Sequence, residues 1–212
     1  MWETVPGLIL AGSVGITGFG WIYCEPPRLA PKSHKRSDSE TEFLLIISCL
    51  AIVAVLAYWF SDISEFAILA FGIEIGVCLF EATYLRARMS VDTMVHHVCT
   101  PVAIIGSLVR PVPLSTLAVL CGSLAAGNGV ILSSKVLYTK FGSDEFKRNG
   151  LLASFLAGSL LRVLVSLAIV LMLIAEVLGD AARPDWTRLY VTAMLMLIFL
   201  NCQLVAALFQ RL

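Results

Sequence analysis

Long apolar runs, each ended by charged residues, proline or glycine, dominate the pattern of this chain. A helix that crosses a bilayer needs about 20 mostly apolar residues, with about 17–25 tolerated. Runs of that length predict an all-α fold, a polytopic bundle of about seven transmembrane helices. The predicted spans are residues 7–23, 43–60, 65–84, 93–109, 114–137, 151–178 and 188–209.

The composition supports an integral membrane protein rather than a soluble one. Of 212 residues, 58% are hydrophobic and 14% are charged, whereas soluble domains average about 45–50% apolar and about 25% charged residues. The net charge of zero gives no indication of a nucleic-acid partner.

The six cysteines are scattered singly, so we expect no metal site, no disulfide framework and no cofactor. The start MWETVP lacks the basic front end of a signal peptide.

The chain divides into a first span, a polar loop and a larger core, all within one membrane domain at residues 1–212. The first span, 7–23, is rich in glycine and is predicted to pack closely against a neighbouring helix. The loop 24–42 carries four basic residues and is interpreted as a connector, with contact to anionic headgroups as the alternative. Residues 43–212 form the predicted six-helix core.

Basic residues alternate strongly between the two sides of the predicted bundle. Eleven Lys or Arg residues fall on one set of loops and three on the other. Because cytoplasmic loops carry the excess of basic residues, we expect the N-terminus outside or in the lumen and the C-terminus in the cytosol.

Ionisable and amide side chains inside the spans are costly and are candidates for a functional site. At about 1.5 Å of rise per residue, they form two layers. The layer near the membrane centre contains Glu74, Asn128, Arg162 and Asn201, and the layer nearer the cytosol contains Glu81, His96, His97 and Lys135. We expect an ion pair between Glu74 and Arg162, because an unpaired charge at that depth is strongly destabilising.

The stretch VDTMVHHVCTP, residues 91–101, places two adjacent histidines near the membrane interface. Asp92 and Thr100 lie four residues before and after His96, so all three share one stripe of a helix. Asp92 is a candidate for holding the His96 ring in one tautomer. Catalytic roles for His96, His97 and Asp92, as a general base or acyl acceptor, and a polar lock between helices are equally compatible with these residues.

These segments together resemble the TLC family, which includes ceramide synthases and translocating-chain-associated membrane proteins. The main resemblance is in FGIEIGVCLFEATYLRARMSVDTMVHHVCTPVAIIG. Its matching residues are Arg88, Asp92, Met94, His96, His97 and Thr100. Further matches are the stretch around Lys135, LLRVLVSL with Arg162, and LIFLNCQLV with Asn201. The resemblance implies a helical bundle around a lipid-sized cavity containing the His pair, and residence in the endoplasmic reticulum.

The chain departs from ceramide synthases on the helix after the His pair. With Lys135 as the reference, the family's HDxxD positions are Leu124, Ala125 and Asn128, and its Glu position is Leu132. The tryptophan that usually follows the terminal Leu-Asn is Leu204. An acyl transfer that depends on those groups for proton transfer is therefore expected to fail.

Three functions follow from this pattern. We expect a non-catalytic protein of lipid homeostasis that binds a membrane lipid or acyl chain in its cavity. The first alternative is an acyltransferase that acts on a lipid through His96 or His97, with Asp92 and Glu81. The second is an accessory subunit that binds other membrane proteins.

Overall fold

The computed structural model describes residues 5–24, 38–84, 90–109, 113–179 and 186–210, and nearly all of these residues are helical. The helices are α1 (Val5–Tyr23), α2 (Asp38–Ser61), α3 (Ser64–Tyr84), α4 (Val91–Val109), α5 (Leu114–Phe141), α6 (Asp144–Ala157), a π-helix (Gly158–Val165), α7 (Ser166–Gly179) and α8 (Trp186–Phe209). The predicted all-α fold is therefore confirmed.

Six helices among the described residues are long and apolar enough to cross a membrane. Their apolar spans are Val5–Tyr23, Asp38–Ser61, Ser64–Tyr84, Val91–Leu108, Leu114–Leu137 and Lys147–Met172. Helix α8 adds a shorter apolar segment, Val191–Ala207. This supports an integral membrane protein, while the count of seven spans and the orientation stay predictions.

The predicted polar loop 24–42 is too long at its C-terminal end. Residues 25–37 lie outside the described residues, but Asp38 already begins α2. Asp38 and Glu40 are both in the first turn of that helix, where carboxylates interact favourably with the positive end of the helix dipole. Thr41 is buried there, 2% exposed, so a polar sequence was taken for a loop although it folds into the bundle.

Helix α3 lies at the centre of one half of the bundle, where it packs against α1, α2, α4 and α5. Its most extensive contact is with α1. A Cβ added to Gly12 of α1 would lie 3.1 Å from the backbone of Gly72 on α3. The hydroxyls of Ser13 and Thr17 lie 3.2 Å from the carbonyl oxygens of Gly72 and Gly76, and each shares its proton with a nearer carbonyl of α1, at 2.6 and 2.7 Å. The predicted close packing of the Gly-rich first span is confirmed, and α3 is its partner.

The other half of the bundle is organised around a π-helix in the middle of a long span. The segment Gly158–Val165 continues α6 and leads directly into α7, and it packs against α5 and α8. Ser154, Gly158, Arg162 and Ser166 are all buried at four-residue intervals. In an α-helix such a stripe would rotate by about 40° at each step, and the wider turn of the π-helix reduces that drift.

Candidate functional site

A cavity of about 460 Å³ lies inside the bundle, between α2, α3, α4, α5, the π-helix and α8. Its apolar wall is formed mainly by Leu44, Val77, Leu124, Ile131, Leu132, Leu200 and Leu204. Along α3 it extends from Glu74 to Glu81, seven residues or about 10 Å of helix. Asp92 and Gln203 line the cavity and are exposed, so they mark its mouth.

Nine of the ten predicted site residues line this cavity, although they come from five different helical segments. They are Glu74, Glu81, Asp92, His96, His97, Thr100, Asn128, Arg162 and Asn201. The tenth, Lys135, is not part of the cavity wall that the structure describes. Its ammonium donates to Thr41 Oγ1 at 3.0 Å and so links α5 to α2.

A close contact between an acid and a histidine in the cavity joins α3 to α4. His97 Nε2 lies 3.0 Å from Glu81 Oε2, and the two side chains are 5% and 6% exposed. The two atoms are close enough for an ion pair, but the N–H direction is not aligned for a hydrogen bond. The other ring nitrogen, Nδ1, is also buried and has no hydrogen-bond partner among the described residues. Sequence spacing suggested Asp92 as the acid beside His96, whereas the acid in contact with His97 is Glu81 from another helix.

His96 faces the same cavity from a different side of α4. The two imidazole centroids are 5.4 Å apart and their planes meet at 75°. The Thr100 hydroxyl donates to the His96 main-chain carbonyl at 3.0 Å, while α4 continues through Pro101 without ending. No hydrogen bond between Asp92 and His96 occurs among the described residues, so the proposed tautomer control by Asp92 stays a prediction.

A side-chain hydrogen bond joins the π-helix to α5. Arg162 Nη1 donates to Asn128 Oδ1 at 2.7 Å. A Cβ added to Gly127 would lie 2.6 Å from Arg162 Cγ, so this glycine makes room for the stem of the arginine. The expected direct Glu74–Arg162 ion pair is not found among the described contacts. The guanidinium bonds Asn128 on the adjacent α5, and Glu74 lines the same cavity as Arg162.

The cavity wall also contains polar residues that sequence reasoning did not select. Ser48 and Cys78 line it and are both buried. Cys78 lies four residues after Glu74 on α3, so a search for every polar residue on the Glu74–Glu81 face would have found it. Ser48 lies on α2, whose even hydrophobicity gave no indication of which face turns inward.

The chemistry available at this site is hydrogen bonding and proton exchange. Glu81 and His97 form a carboxylate–imidazole pair that can hold or accept a proton. The hydrogen-bonded side chains of Arg162 and Asn128 form a second polar group in the cavity wall. Among the described residues, no three His, Cys, Asp or Glu side chains gather in a way that could hold a metal ion.

Comparison with known proteins does not add a relative to this description. No family model, no curated protein and no solved structure matches the chain.

Proposed function

We propose that this protein is a divergent TLC-type membrane protein that binds a lipid or acyl chain in its intramembrane cavity. It acts in lipid homeostasis without the full chemistry of a ceramide synthase. Seven spans, a lumenal or external N-terminus, a cytosolic C-terminus and residence in the endoplasmic reticulum belong to the same proposal.

The observation that carries the proposal is the cavity itself. Its volume of about 460 Å³ falls within the range of about 300–1,000 Å³ that is typical of small-molecule sites. The wall combines aliphatic side chains with a few polar groups, among them His97 and Arg162. That combination suits an amphiphile, since each buried methylene contributes about 0.8 kcal/mol and the polar groups fix orientation.

The direct test is to purify the protein and identify retained lipid by native mass spectrometry. Leu124→Trp fills the cavity, because Leu124 lines its wall. Val119→Trp is the matched control, since it adds the same ring on the same helix at a side chain that is 40% exposed. We expect bound lipid in the wild type and in Val119→Trp, and its loss in Leu124→Trp. Equal lipid retention by both variants would contradict the proposal.

An acyltransferase is the second candidate, and the contact between Glu81 and His97 favours it. A carboxylate beside an imidazole is the arrangement that activates a histidine as a base or nucleophile. A covalent acyl adduct on His96 or His97, detected by peptide mass spectrometry after incubation with acyl donors, would support the enzyme. Unchanged lipid turnover after His96→Ala and His97→Ala are combined would rule it out.

A further inference from the structure

One ring nitrogen of His97 has neither a hydrogen bond nor a charged contact among the described residues. His97 Nδ1 is buried without a hydrogen-bond partner among the described residues, in a side chain that is only 5% exposed. Buried polar atoms nearly always have a partner, supplied by protein, by water or by a ligand. Because His97 lines the cavity, a molecule inside the cavity is positioned to supply it.

The charges on the cavity wall limit what that molecule can be. Glu81 lies against the basic ring of His97, and Glu74 shares the wall with Arg162. The inner wall therefore carries two acidic side chains, Glu74 and Glu81, and two basic ones, Arg162 and His97, so its charges can balance without a charged ligand. The further acid, Asp92, is exposed at the mouth. A buried phosphate or ammonium head group would need an opposite charge of its own, and without one its desolvation is strongly unfavourable.

We propose that the cavity binds an uncharged lipid that carries a hydroxyl group, and that this hydroxyl forms a hydrogen bond with Nδ1 of His97. The inference rests on the proposed function and adds the chemical class of the ligand. A hydroxyl both donates and accepts, so it satisfies Nδ1 whether or not that nitrogen carries the proton. Water has the same capability, and the experiment must separate the two.

Four single-chain probes of equal chain length separate the possibilities: a long-chain alcohol, its methyl ether, the amine and the phosphate ester. Each is added to the full-length protein in detergent, and the bound fraction is measured by native mass spectrometry. We expect the alcohol to bind about tenfold more tightly than the ether, which corresponds to about 1.4 kcal/mol. This agrees with about 0.5–1.5 kcal/mol for a net hydrogen bond. The amine and the phosphate bind more weakly than the alcohol.

Two conservative variants assign the preference to one nitrogen. The His97→Gln side chain reaches the position of Nε2, so it keeps a polar contact with Glu81 but loses the group at Nδ1. The His97→Asn side chain places its amide near the position of Nδ1. We expect His97→Gln to bind the alcohol and the ether equally, and His97→Asn to retain a preference for the alcohol.

The outcomes distinguish the inference from the function on which it rests. If alcohol and ether bind the wild type equally, water satisfies Nδ1 and the inference is wrong, although a lipid site remains. Tighter binding of the amine or the phosphate also overturns it. If all four probes bind Leu124→Trp as well as the wild type, they occupy some other surface, and the proposed cavity function fails.

Discussion

The interface between α1 and α3 provides the sharpest test of how this bundle is held together. In Gly76→Ala, the new Cβ would lie 2.8 Å from Ile16 Cβ and 3.0 Å from the Ser13 carbonyl oxygen. The first distance is 0.6 Å below the 3.4 Å at which ordinary contact begins. Neither neighbouring atom is the end of a flexible side chain, so α1 must move away from α3.

The energetic cost follows from that movement. Overpacking costs about 1–3 kcal/mol. Weakening the contacts of the Ser13 and Thr17 hydroxyls with the α3 carbonyls adds at most about 0.6 kcal/mol each. Replacing glycine by alanine within a helix stabilises that helix by about 1 kcal/mol, which offsets part of this cost. We therefore expect Gly76→Ala to lower the free energy of unfolding by about 1–3 kcal/mol.

The measurement is equilibrium unfolding of the purified protein by titration with a denaturing detergent. Gly15→Ala is the matched control, because a Cβ on Gly15 of α1 meets nothing within 4 Å. It should leave stability unchanged or raise it by up to about 1 kcal/mol. Indistinguishable unfolding curves for the two variants would refute close helix packing as the basis of this interface.

Two further perturbations test other parts of the bundle. Gly127→Ala puts a Cβ 2.6 Å from Arg162 Cγ, whereas in Gly129→Ala the nearest atom is 3.9 Å away. Only the first should destabilise the protein in the same titration, by about 1–3 kcal/mol; equal effects would contradict the role of Gly127. Burial, aided by the charge of Glu40, raises the pKa of the Cys24 thiol from 9.0 to about 11. In a variant that keeps only Cys24, alkylation at pH 9–10 should be slower in folded than in denaturant-unfolded protein. Stability should fall as pH rises from 9 towards 11, and equal alkylation rates would contradict burial of this thiol.

Helix positions were largely predictable because membrane burial requires long apolar runs. The predicted spans 65–84 and 114–137 correspond closely to Ser64–Tyr84 and Leu114–Phe141. The close approach of α1 to a neighbour also followed from its glycines. The start of α2 could not be predicted in this way. Residues Asp38 to Glu42 are polar, and polar residues at the start of a helix resemble a loop in a single sequence.

The site was predictable as a set of residues and not as a set of contacts. Depth along each span collected Glu81 and His97 in one layer, and they do meet at 3.0 Å. Spacing along one helix, however, identifies only local partners such as Asp92. The bond from Arg162 to Asn128 depends on how a π-helix packs against α5, and apolar periodicity carries no signal for the wider turn.

The π-helix Gly158–Val165 has a consequence for the ancestry of the chain. Each of its hydrogen bonds encloses one residue more than an α-helical bond does, so such a segment can accommodate a single-residue insertion without ending the helix. Related chains without it are expected to align with a one-residue gap in this region. A deletion within Gly158–Val165 should restore a plain helix of nearly the same length, because the wider turn encloses one extra residue. The span would survive, and Arg162 and Ser166, three or four residues apart, would still share one helix face.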